Sequence, residues 1–194
     1  MAARDDTQAV NMMSYEQIWL TGFMATGKTR TARPLAVALD WTPVDIDTLI
    51  EEQAGDTAAT IFAKGGEAAF RTIEAEVIER VAGMHNVVVA TGGGSVLRET
   101  NRTAMRRNGF IVCFDARPET IAARVQDSTQ HVSERPLLAV GNPLATIVEL
   151  KAERDPIYAQ ADFIIQTDDL TPDQVTHQVL LAFRERSAVA GGAA

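Results

Sequence analysis

Residues 22–29 read GFMATGKT and follow directly on the apolar run Ile18-Trp19-Leu20. Gly22, four intervening residues and then Gly27-Lys28-Thr29 give the spacing in which successive backbone N–H groups curl round a phosphate at a helix N-terminus. The flanks agree with that reading. A β-prone run precedes the loop, and 31–39 follow it with apolar residues at Leu35, Val37, Ala38 and Leu39. The chain has only three lysines, so a chance Gly-Lys-Thr at this spacing is rare. The plainer alternative, a strand-to-helix turn with an incidental lysine, is weaker than a nucleotide-binding loop in this context.

Outward from the loop, short β-prone runs alternate with helical patterns. Strands are expected at 18–21, 43–46, 86–91, 110–115 and in DFIIQT (162–167). Helices are expected near 28–39, twice between about 48 and 83, then near 98–107, 118–126, 143–153 and 172–186. Such alternation predicts an α/β fold: a parallel sheet with helices on both faces. Ligands of these sheets sit beyond the C-terminal ends of the strands. Polar residues collect there: strand one ends at Gly22, strand two in DID (45–47), and strand three runs into TGGG (91–94).

At 194 residues, 46% of them apolar, the chain fits one domain with a sizeable core. Its net charge of −8 argues against a general nucleic-acid binder, which needs a basic footprint to displace phosphate counterions. Cys113 is the only cysteine and lies inside FIVCFD (110–115), so it reads as an inert core thiol with no disulfide to make. No run of 18 apolar residues and no signal-peptide core occurs, which predicts a soluble, cytoplasmic protein without a membrane partner. Residues 1–14 and the small-residue end SAVAGGAA (187–194) read as frayed tails around a domain at 15–186. The three histidines stand apart, with no transition-metal spacing, and Trp19 and Trp41 read as packing residues.

Three stretches carry chemistry. In PVDIDT (43–48), an extended backbone would turn Asp45 and Asp47 to the same side beside the loop. One carboxylate then holds Mg²⁺ through its water shell, with the Thr29 hydroxyl as direct ligand, while the other accepts a hydrogen bond from a substrate hydroxyl. The competing reading is a helix start, with Asp47 capping TLIEEQAG. In ATGGGS (90–95), Gly92, Gly93 and Gly94 let the backbone come close to a ligand. Arg71 and Arg154 read either as surface ion-pair partners, Arg71 between Glu67 and Glu74, or as bidentate clamps for a carboxylate.

Taken together and in order, GFMATGKT, DID, AFRTIE, TGGGSV, RPLL and ERDPIY resemble the shikimate kinases over about residues 17–183. The resemblance implies a three-layer P-loop fold with a five-stranded parallel sheet and a mobile lid at about 125–138. It implies transfer of the ATP γ-phosphoryl group to the 3-hydroxyl of shikimate with Mg²⁺, and a monomer is expected. Carried over by motif, Gly22, Ala25, Thr26, Gly27, Lys28, Thr29 and Arg30 contact ATP, with Arg124 and the lid arginine Arg135 closing over it. Asp47 orients the hydroxyl and serves as base, and Asp45 supports the metal with Thr29. Arg71, Arg154 and Gly92 to Gly94 take the acid, and Lys28, Asp47 and Arg135 form the catalytic set.

The chain departs from the family pattern in places. The pair is DID where the family often has Asp-Thr-Asp, Ala25 stands where another glycine is common, and the lid carries few basic residues, with His131 as its extra cation. Two other functions fit part of the sequence. One is a kinase of the same fold acting on gluconate or a cyclitol. The other is a nucleotide-binding module without turnover, which would need the loop but neither Asp47 nor the arginine pair.

Overall fold

The structure is a computed structural model that describes residues 15–127 and 142–191. Five strands, β1 (Gln17–Gly22), β2 (Thr42–Asp45), β3 (Val87–Ala90), β4 (Gly109–Asp115) and β5 (Phe163–Gln166), form one parallel sheet in the order β2-β3-β1-β4-β5. The connections are α1 (Lys28–Leu39), α2 (Ile46–Ala54), α3 (Ala58–Val81), a 3₁₀ turn at Ser95–Leu97, α4 (Glu99–Arg106), α5 (Pro118–Asp127) and α6 (Pro143–Tyr158), and α7 (Pro172–Gly191) ends the described chain.

Alternation along the strands builds the three layers. Trp19, Val87, Val89, Ile111 and Cys113 point into one apolar cluster, with Ile46, Ile50, Phe70, Val77, Ile78, Ile147 and Tyr158 from α2, α3 and α6. Ile18, Leu20, Val88, Phe110, Val112 and Phe114 point the other way, against Leu35 of α1 and Val175, Val179 and Phe183 of α7. A strand buried on both faces has no room for polar alternation, which is why these runs read as continuously apolar. Gln17 is buried at the start of β1 and is satisfied: its Nε2 donates to the carbonyls of Val81, Ala82 and Met84, and its Oε1 accepts from Trp19 Nε1. Trp41 meets Phe183 edge-on at the rim of the second cluster. Cys113 is a buried thiol whose pKa is pushed up to about 12, chiefly by burial and then by Asp115.

Several boundaries differ from the sequence reading. The second strand ends at Asp45, and α2 begins at Ile46, so Asp45 and Asp47 do not share an extended backbone. Asp45 is itself the N-cap: its carboxylate accepts from the N–H groups of Asp47 (3.0 Å) and Thr48 (3.4 Å). The helix-start alternative was therefore right about the helix, with Asp45 in place of Asp47 as its cap. In α3 the helical ladder breaks at Gly66 (φ 69°, ψ −173°), a backbone that a side-chain-bearing residue adopts only under strain. The sixth helix runs to Tyr158 rather than 153, and α7 continues to Gly191, past the end near 186 and into the stretch read as a frayed tail. The expected lid begins on the last turn of α5; residues 128–141, with Arg135, and residues 1–14 lie outside the described residues. Among the described residues, no helix is long and apolar enough to cross a membrane.

Gly109 opens β4 under the Trp19 ring. A Cβ there would stand 2.3 Å from the Met105 carbonyl oxygen and 2.4 Å from Trp19 Cδ1. Gly109→Ala is therefore expected to cost about 1–3 kcal/mol by overpacking. Thermal unfolding should show a fall in Tm of roughly 3–10 °C, and an unchanged Tm would mean that the strand start yields freely.

Candidate active site

The site is assembled where β1, β2 and β3 release their chains at one end of the sheet. Gly22 (φ 119°) closes β1 against β4 so tightly that a Cβ would lie 2.2 Å from the Phe114 carbonyl oxygen. The loop then turns through Ala25 (φ 58°) and Gly27 (φ 104°), both left-handed, and α1 starts at Lys28. Ala25 thus holds a conformation that glycine takes at lower cost, in keeping with its departure from the usual loop sequence. Thr26 Oγ1 donates to the Phe23 carbonyl at 2.8 Å and Thr31 Oγ1 to the Gly27 carbonyl at 3.2 Å, so the curl is braced from within. Lys28 is buried, and its ammonium donates to the carbonyls of Gly22 (2.9 Å) and Phe23 (2.7 Å). Thr29 and Arg30 are exposed on the first turn of α1.

Across from the loop, Thr29 Oγ1 donates to Asp45 Oδ2 at 3.3 Å. A hydroxyl and a carboxylate converging beside a phosphate-binding loop make a hard-oxygen donor pair of the kind that Mg²⁺ takes together with phosphate oxygens and water. Asp47, on the first turn of α2, faces the glycine loop: a Cβ on Gly92 would lie 3.0 Å from Asp47 Oδ1. Its pKa is raised to about 6, first by desolvation of the carboxyl, then by the like charges of Asp45 and Glu74, with Lys28 opposing. The residue as a whole is exposed, so it is the walls around the carboxyl that strip its water.

Arg71 has both of the environments weighed for it. It pairs with Glu67 at 3.2 Å and Glu74 at 2.9 Å, and its guanidinium also lies under Gly94, where a Cβ would come 2.5 Å from Nη2. Glu74, 1% exposed, accepts from Arg71 with one carboxylate oxygen and from Ser95 Oγ, at 2.7 Å, with the other. Burial pulls the Arg71 pKa down, but Glu74 and Glu67 outweigh it and hold the guanidinium above its ordinary value. Arg154, on α6, stands over the Phe23 ring at 5.4 Å, and one turn further along the helix the Tyr158 hydroxyl donates to the Gly93 carbonyl at 2.6 Å. The fold therefore brings Asp45, Asp47, Arg71, Arg154 and Gly92 to Gly94 around one phosphate-binding loop. Arg124, on α5, donates to Thr167 Oγ1 at 3.0 Å and to the Thr167 carbonyl just past the end of β5.

The sequence reading gave Glu74 no more than a flanking place and passed over Ser95, Phe23 and Tyr158. For Glu74 a signal was present: it falls on the apolar stripe of Phe70, Val77, Ile78 and Val81, where a carboxylate needs a buried cationic partner. Tyr158 is one turn beyond Arg154 and so shares its helix face.

With this geometry in view, comparison with known proteins gives one answer. A family model described as Shikimate kinase matches residues 24–184. The shikimate kinase of Thermoanaerobacter pseudethanolicus is 41% identical over 168 residues, spanning 87% of this chain and 96% of that protein. That of Symbiobacterium thermophilum is 45% identical over 170 residues, 87% of this chain and 97% of the relative. Among solved structures, shikimate kinase from Acinetobacter baumannii in complex with shikimate superposes with a TM-score of 0.82 at 32% identity, covering 90% of this chain and 96% of that one. A gluconokinase from Sinorhizobium meliloti, at TM-score 0.57 and 12% identity, shares the fold alone. A phosphate-binding loop, a paired-aspartate turn and an arginine-lined triple glycine in one site, matched over most of the chain, make this protein a member of the shikimate kinase family.

Proposed function

We propose that this chain transfers the γ-phosphoryl group of ATP to the 3-hydroxyl of shikimate, giving shikimate 3-phosphate and ADP. The observation that carries the proposal is that a guanidinium stands at each of two loops packed together: Arg71 lies under Gly94 of the triple-glycine loop, whose Gly92 faces Asp47, and Arg154 stands over Phe23 of the phosphate-binding loop. Guanidinium groups at both loops suit a carboxylate-bearing acceptor, because each offers paired donors to an acid. A nucleotide-binding module without turnover has no use for them. The low-identity likeness to a gluconokinase concerns fold only, so shikimate is the better supported acid.

Phosphoryl transfer asks mainly for positioning and charge neutralisation. In this reading, Gly22 to Thr29 present backbone N–H groups to the phosphates. Lys28 exchanges its two carbonyl partners for the phosphate undergoing transfer. Thr29 and Asp45 would hold Mg²⁺, which when bound would neutralise charge on the phosphate oxygens. Asp47 accepts the proton of the substrate hydroxyl as its oxygen bonds to the γ-phosphorus and the bond to the ADP oxygen breaks. Arg71, Arg154 and Gly92 to Gly94 hold the acid in line. Arg30 and Arg124 are proposed as ATP contacts, as is Arg135, which belongs to the segment outside the described residues. We propose a monomer as the working unit, and the use of ATP supports a cytoplasmic setting.

A coupled ADP-release assay with Mg·ATP, comparing shikimate, gluconate, quinate and no acceptor, tests this directly. Stimulation by shikimate alone, lost without Mg²⁺, is the expected outcome; stimulation by gluconate alone would keep the kinase and replace the substrate, and ADP release indifferent to every acid would leave a nucleotide-binding module. For Asp47 the sign follows from its raised pKa. The carboxylate form is present above about pH 6, so kcat/KM should fall with a single-proton slope below that value. Asp47→Asn should lower kcat about 10²–10⁴-fold with little change in ATP affinity. The folded chain also holds this proton more tightly than the unfolded chain. Its stability without ligands should therefore decline as pH rises from the ordinary carboxylate range to about 6, and Tm measured against pH should lose that slope in Asp47→Asn. Arg71→Ala should raise the KM for shikimate about 10–100-fold and leave that for ATP near wild type. A fall in Tm with no change in KM would return Arg71 to a purely structural ion pair.

A further inference from the structure

We infer that Ser95 is a positioning residue for the acid-binding side of this site, holding Arg71 against the glycine loop through Glu74; the inference rests on the function proposed above. Arg71 is shared between two carboxylates of unlike surroundings. Glu67, 70% exposed, accepts from its Nε at 3.2 Å, and the buried Glu74 accepts from its Nη1 at 2.9 Å. An exposed ion pair competes with water and holds a guanidinium weakly. The place of Arg71 under Gly94, where a Cβ would stand 2.5 Å from Nη2, therefore depends on Glu74.

Glu74 can hold the arginine only if it is itself held, and Ser95 does this. The Ser95 hydroxyl donates to Glu74 Oε1 at 2.7 Å, which leaves Oε2 for Arg71. Ser95 is fully buried, so no solvent competes for that bond. Its backbone is anchored on both sides: the N–H donates to the Gly92 carbonyl at 3.1 Å, and the carbonyl accepts from Nδ2 of the buried Asn101 at 2.9 Å. The Arg71 backbone is tied to the same stretch of chain, since Arg98 Nη1 donates to the Arg71 carbonyl at 2.8 Å. These contacts close a ring. The chain passes from Gly94, packed on the guanidinium, to Ser95, and Ser95 returns to the guanidinium through Glu74. The residue that follows the three glycines thus sets the spacing between their backbone and the cation beneath it. Without its hydroxyl, one oxygen of a buried carboxylate loses its donor, Glu74 can turn away, and Arg71 is left to the exposed Glu67.

The test is Ser95→Ala, which removes the hydroxyl and little volume, assayed in the full chain beside the wild type. The expected result is a rise of about tenfold in the KM for shikimate and in its Kd by calorimetry without nucleotide, with kcat and the KM for ATP within about twofold. In an Arg71→Met background the same substitution should add no further loss, because the group it positions is gone. Three results would overturn the inference: an unchanged KM for shikimate, the same loss repeated in the Arg71→Met chain, or equal losses for both substrates tracking a fall in Tm. Should Ser95→Ala not fold, Ser95→Cys takes its place. Its thiol is a weak donor, so the KM for shikimate should still rise severalfold, and a wild-type KM would equally overturn the inference. A wild-type chain that ignores shikimate in the coupled assay would overturn the proposed function, and this inference with it; a wild type that uses shikimate beside a Ser95→Ala chain of equal KM would overturn the inference alone.

Discussion

The approach of Gly22 to the Phe114 carbonyl is the constraint on which the site depends. No side chain fits between β1 and β4 at that point, so the chain leaves the sheet there and nowhere else. The phosphate-binding loop, the glycine loop packed on it at Gly93, and the Phe23 ring beneath Arg154 all take their places from that exit. Parallel pairing does the rest. Because β2, β3 and β1 run the same way in register, Asp45, Ala90 and Leu20 reach the same level and their loops open onto one surface.

Charge in the site is arranged in compensated pairs. The protein carries a net charge of −8, and its key cations stand beside acids: Arg71 with Glu67 and Glu74, Lys151 with Asp115 and Asp155. Glu74 is what allows a guanidinium to sit half-buried under Gly94, and Ser95 is what satisfies the second oxygen of Glu74. Removing one partner of such a set leaves the other buried and unmatched, which costs more than the pair itself contributes. Desolvation first, and then the same crowding of acids, hold the proton of Asp47 well above the usual carboxylate range.

Much of this was legible in the residues. Strands buried on both faces announce themselves as apolar runs, and the loop spacing between Gly22 and Thr29 has few other meanings. What the sequence hid was local competition for backbone donors. Asp45 sits at a point where the chain could stay extended or start a helix, and its own carboxylate decides the matter by accepting two amide hydrogens. Glu74 was hidden differently, since helical spacing shows it on a buried face but cannot show Ser95 arriving 21 residues later to complete it. The link from Tyr158 to Gly93 spans 65 residues and leaves no periodic trace.

The break in α3 also has a bearing on how this part of the chain is held. From Ile46 to Gly65 the polypeptide is bounded at one end by the Asp45 cap and at the other by Gly66, whose Cβ position is open space. No regular helical ladder crosses either boundary, and the aromatic stack of Phe62 on Phe70, 4.6 Å between centroids, is the splint across the second. Three side chains, Ile46, Ile50 and Ile61, sink it into the core, and Gln53 joins it to Glu76 and Arg80 on the far part of α3, so the segment is hinged at its ends but held along one face.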